Sequence, residues 1–157
     1  MALVPPVLAD AGLDIREDSV KFTADPSAVI DRVSVSFFTH NDNKDFDTSV
    51  SVFVVNPINI FLSQLIAKKD GADGDLEYKD NPPSTHEFDL DLASTNISLA
   101  QLTFPTYTVR IAPTGHDRWI FDVTVRLHTS DGSEFASTDM GIVLDQDNRV
   151  HSGQFHA

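Results

Sequence analysis

Val33-Ser34-Val35-Ser36-Phe37, then Asn41-Asp42-Asn43-Lys44-Asp45-Phe46-Asp47, then Val50-Ser51-Val52-Phe53-Val54 read as two strands and the loop between them. Both outer runs alternate apolar and polar residues, the period of a strand with one face buried. A tight hairpin needs only two or three residues at its turn. Here the connection is longer and filled with carboxylates and amides, hard oxygen donors of the kind calcium takes. Crowded carboxylates repel one another unless a cation gathers them. Asn41, Asp42, Asn43, Asp45 and Asp47 are therefore candidate calcium ligands. Ordinary turn chemistry is the alternative, because Asn and Asp tolerate left-handed backbone and bond to their own main chain. The spacing does not fit a helix–loop–helix calcium site. Counting from Asn41, position 6 is Phe46 rather than Gly and position 12 is Val52 rather than Glu. A bound ion would need ligands from further turns. Gly115-His116-Asp117-Arg118 and Ser130-Asp131-Gly132 flank one later strand, so only one of them can share an end with the acidic loop. Phe46, an aromatic at the tip of a charged loop, is either a folded-back plug or an exposed anchor.

The same period recurs along the chain. In the clearest case Trp119, Phe121, Val123, Val125 and Leu127 face one way, while Ile120, Asp122, Thr124, Arg126 and His128 face the other. Strands are expected over 30–39, 48–55, 86–92, 107–111 and 141–144, with a short one over 97–104. Asn56-Pro57 should break the second, and Lys68–Pro83 reads as a loop. Residues 58–67 fit a buried strand or one face of a helix, the strand being favoured by its place in the series. Short strands with turn signals about every ten residues predict an all-β fold, an antiparallel β-sandwich of about eight strands, over residues 29–157. Residues 1–28 read as an N-terminal extension with one short strand near 19–23.

Composition narrows the function. The chain of 157 residues has 11 Lys and Arg against 24 Asp and Glu, a net charge of −13. Nucleic-acid binding needs clustered cations and is excluded. Direct docking on an anionic membrane is disfavoured unless a cation inverts the local potential. There is no cysteine, hence no disulfide, thiol nucleophile or thiolate metal site. No transmembrane segment is expected. Residues 1–9 lack a basic start and carry two prolines, which makes a poor signal peptide, and the compartment stays open.

Other motifs favour plain readings. Asp70-Gly71-Ala72-Asp73-Gly74-Asp75 is a single acidic patch, read as a flexible loop because calcium-binding nonapeptides need several stacked copies. Asp145–Arg149 reads as a hairpin turn or terminal loop. His40 and His116 flank acidic loops, but no two histidines form a metal-binding pair. Trp119 is a core residue first and a ligand platform second. No nucleophile elbow or phosphate-cradling glycine loop is present.

Thr39-His40-Asn41-Asp42-Asn43-Lys44-Asp45-Phe46-Asp47-Thr48-Ser49-Val50 resembles the first hairpin of the lipoxygenase-homology (PLAT) domain. Asp117-Arg118-Trp119-Ile120-Phe121-Asp122-Val123-Thr124-Val125 resembles that family's Trp-bearing strand, and Asp131-Gly132 the turn after it. Two pieces match; the loop lacks the family's glycines, and residues 1–28 have no counterpart. Calcium-dependent lipid-binding domains of the protein-kinase-C type share the logic of acidic loops on a sandwich. The resemblance implies an eight-stranded sandwich, calcium held by Asp42, Asp45, Asp47 and Asp117, and a lipid surface or protein partner.

The leading expectation is thus a non-enzymatic, calcium-binding recognition module that presents Phe46 to a lipid surface or a protein. One alternative is a carbohydrate-binding jelly-roll module using exposed Tyr78, Tyr107 and Phe46. Another is a structural or assembly protein without metal.

Overall fold

The computed structural model describes residues 24–155; the strand expected near 19–23 lies outside them. Eight strands run in the order β1 (Ile30–Asp42), β2 (Ser49–Asn59), β3 (Leu62–Ala72), β4 (Ser84–Leu92), β5 (Thr106–Ala112), β6 (Arg118–Thr129), β7 (Glu134–Asp145) and β8 (Val150–Gln154). All pairings are antiparallel, and the sheet order is β7-β6-β1-β4-β3-β2-β5-β8. The all-β antiparallel sandwich expected from alternation is the fold observed.

The sheet folds over at a narrow seam, where β3 meets β4 only at Ala67↔Leu92 and Lys68↔Asp91. The half β7-β6-β1-β4 then faces the half β3-β2-β5-β8. The outer strands close the far side through side chains rather than a ladder. Ser137 Oγ donates to the Gln154 carbonyl at 3.0 Å, the Tyr107 hydroxyl donates to Asp139, and His151 Nε2 lies 2.8 Å from the same carboxylate. The result is a nearly closed, barrel-like sandwich.

Inward residues sit where the period put them. Val33, Val35 and Phe37 of β1, Val50, Val52 and Val54 of β2, and Trp119 through Leu127 at every second position of β6 are fully buried. Trp119 and Phe121 share one strand face and stack at 3.8 Å, with Phe37 packed on both. Trp119 Nε1 donates to Thr39 Oγ1 at 3.0 Å, so this indole is a satisfied core residue.

Several boundaries differ from expectation. β2 continues through Asn56-Pro57 to Asn59, and residues 58–67 form its tip, a turn and half of β3. Pro57 is tolerated because β5 pairs only as far as Val55, leaving that stretch without a neighbour on its outer side. β3 extends to Ala72, into the stretch expected to be loop. Residues 97–104 hold a 3-10 turn, Leu99–Gln101, whose Gln101 side chain accepts the Ser98 N–H. β7 is longer than 141–144 because it is an outer strand with half its residues exposed and only two buried, where alternation is weak. β8 carried no signal in the sequence for the same reason.

Candidate functional site

Antiparallel alternation sorts the connections into two sets. The loops 43–48, 73–83, 113–117 and 146–149 gather at one end of the sandwich. The β2–β3 turn, residues 93–105 and residues 130–133 lie at the other. Asp117 therefore shares an end with the acidic loop, and Asp131 does not.

At the acidic end the centre is Lys44. Its side chain is fully buried. Nζ donates to the carbonyls of Thr48 (2.6 Å), Leu76 (2.7 Å), Asp73 (2.9 Å) and Asp45 (3.1 Å). It also lies 4.6 Å from the centre of the Tyr78 ring, within cation–π range. The backbone is tied at the same place, since Lys44 N–H donates to the Tyr78 carbonyl and Tyr78 N–H to the Lys44 carbonyl. Burial pulls Lys44 below the ordinary lysine value, while Asp73, Asp117, Asp45 and Asp47 pull it back.

The expected ligands take separate partners. The Asp117 carboxylate, almost buried, accepts the Asp45 N–H at 3.0 Å. Asn43 spans to the neighbouring loop, donating to Glu77 (2.8 Å) and accepting the Asp80 N–H (2.8 Å). Asn41 adopts the left-handed backbone with φ 72° and turns to His40, and His40 Nε2 lies 2.8 Å from Asp122. Asp42 faces Arg118 at 3.9 Å, and the Asp47 carbonyl accepts from Thr114. Among the described residues no three His, Cys, Asp or Glu side chains form a group suited to hold a metal ion. The structure thus joins Asp45 to Asp117 and leaves Asn41, Asp42 and Asn43 on contacts of their own. Burial raises the Asp45 carboxyl above its usual value, helped by Asp117, Asp47, Glu77 and Asp42.

Phe46 is 65% exposed at the loop tip, so it is not a folded-back plug. Tyr78 and Tyr107 are fully buried, which corrects their reading as exposed sugar platforms. Their hydroxyls donate to Asp73 and Asp139 respectively. The Tyr78 ring lies near the Lys44 ammonium and stacks on the His86 ring at 4.0 Å. A depression of about 270 Å³ lined by Glu77, Lys79, Pro82, Pro83, Ser84 and His86 opens beside it.

The opposite end carries a feature that the sequence reading missed. β2 pairs with β5 only up to Val55, and β3 pairs with β4 only at Ala67 and Lys68. Residues 56–65 therefore project as a two-stranded ribbon. At its turn Ile60 and Phe61 are each 91% exposed, flanked by exposed Ile58 and Leu62. The Asn59 side chain accepts the Phe61 N–H at 2.8 Å and shapes the turn. The ribbon is pinned at its base: Asn56 is buried, donates to the Gln101 carbonyl (2.8 Å) and accepts the Thr103 N–H (2.9 Å), and Thr103 Oγ1 donates to the Pro57 carbonyl (2.6 Å). From Ser49 to Ala67 the chain has no charged residue. That uncharged run was the available signal.

No family model matches the chain, and no curated protein or solved structure is similar to it. Among the described residues no helix is long and apolar enough to cross a membrane.

Proposed function

We propose that this chain is a non-enzymatic β-sandwich recognition module that docks on an uncharged lipid surface through its β2–β3 hairpin. The observation that carries this reading is the exposure of Ile60 and Phe61 on a pinned, charge-free ribbon in a chain of net charge −13. Apolar side chains of this size gain about 1.5–3 kcal/mol each when moved fully out of water. The ribbon is convex, so it must enter something else. Asn59, Ser63 and Gln64 supply neutral hydrogen-bonding groups behind the apolar tip, suited to the headgroup layer. The outer edges of the ribbon carry backbone groups that hydrocarbon cannot satisfy, which limits entry to the interface. In this reading Lys44 supplies the positive charge around which the acidic loop closes, and docking needs no calcium.

Flotation with phosphatidylcholine vesicles tests it. The chain should float with them, gain nothing from anionic lipid or calcium, and lose at least tenfold in partitioning when Ile60 and Phe61 are both changed to Ser. A chain that stays in solution with neutral vesicles overturns the lipid reading and turns attention to a protein partner with an apolar pocket. Flotation that requires calcium and survives the double substitution but not Phe46→Ala would move the docking surface to the acidic loops.

A further inference from the structure

We propose that the carbonyls of Asp45, Thr48, Asp73 and Leu76 form a built cation site for a primary ammonium group, and that Lys44 is its resident occupant. This inference stands apart from the hairpin and from any partner. Four backbone oxygens from two loops converge on one nitrogen at 2.6–3.1 Å. A neutral amine has two N–H groups and a lone pair, which would face one of these oxygens unfavourably. An ammonium has three N–H groups and no lone pair, so it serves all four with one shared bond. The π-face of Tyr78 adds a further electron-rich wall at 4.6 Å.

The outer ring matches the occupant. The carboxylates of Asp73, Asp117, Asp45 and Asp47 act on Lys44 from around the cage, yet carbonyls fill the inner shell. Calcium binds oxygen at about 2.3–2.6 Å with several carboxylates in direct contact. The nitrogen–oxygen distances here are longer on average, and the carboxylate ligands are displaced outward. The cage is therefore sized and charged for an ammonium or a large monovalent ion rather than for calcium. It ties together loop 43–48, the end of β3 and the approach to β4, beside the Lys44–Tyr78 backbone pair and the Tyr78 hydroxyl on Asp73.

The test is chemical rescue. Lys44→Ala should melt several degrees below the wild-type chain. Ammonium or methylammonium chloride should raise the melting temperature of the variant by several degrees, whereas choline chloride at equal ionic strength should not, because its quaternary head has no N–H to donate. The wild-type chain should respond equally to all three salts, and calcium should shift neither protein. A variant as stable as wild type, or one that the three salts affect alike, overturns the proposal. A clear calcium-dependent rise in the wild-type chain does so as well. Should Lys44→Ala not fold, the wild-type chain decides. At neutral pH the Lys44 ammonium protons should be visible by nitrogen-15 NMR in slow exchange with water, unlike those of Lys68 and Lys69. Fast exchange at Lys44 overturns the proposal.

Discussion

Lys44 places a positive charge where the sequence reading counted only carboxylates. Reading only the carboxylates of Asp42, Asp45, Asp47 and Asp117 directs attention to an external ion. The charges of Asp45, Asp47 and Asp117 act on a lysine instead, and its four carbonyl partners come from segments that no spacing rule connects. Its neighbour His86 is equally invisible in sequence. Its ring stacks on Tyr78, and its Nδ1 is buried with no hydrogen-bond partner. Burial holds His86 below the usual histidine value, an effect that nearby Lys44 reinforces and Asp73 opposes. The sign of the pH dependence follows. Below the ordinary value of 6.5 the unfolded chain takes up this proton first, so the stabilisation is present above pH 6.5 and is lost as pH falls through the depressed folded value. His86→Phe keeps the stack and removes the titration. Urea unfolding at about pH 8 and pH 5 should show the wild-type chain losing more stability than the variant over that interval.

At the scale of elements, alternation was enough to find the buried strands. β6 is the plain case, because one face packs on the core along its whole length and the other stays wet. Alternation failed where a strand lacks a packed face. β7 and β8 are outer strands, and the β2–β3 ribbon projects beyond its neighbours, so neither carries the contrast that the period measures. Asn56-Pro57 looked like a break and is a pinned strand segment instead, because the amide of Asn56 is satisfied across the gap by the Gln101 carbonyl and the Thr103 N–H. Asn56→Ala removes both bonds and leaves those part-buried groups without their partners. It should cost about 2–3 kcal/mol by chemical denaturation. It should also raise hydrogen exchange in residues 57–66 while leaving β6 protected.

For the whole molecule, one of the closing contacts rests on a close approach at Gly153. A Cβ on Gly153 would run into the Tyr107 hydroxyl and the Asp139 carboxylate, the pair that joins β5 to β7. Gly153→Ala should therefore destabilise the chain by about 1–3 kcal/mol, read from its urea midpoint. Tyr107→Phe in the same background should recover part of that loss by removing the obstructing oxygen. The strand directions have a consequence of another kind. β6 has 12 residues and spans roughly 40 Å between the two ends of the sandwich, with the ribbon at one and the acidic loops at the other. Electrostatic reach in physiological salt is only about 8 Å. A surface touched by Phe61 would not feel the carboxylates around Lys44, so the crown stands upright in solvent, free to meet whatever approaches from the aqueous side.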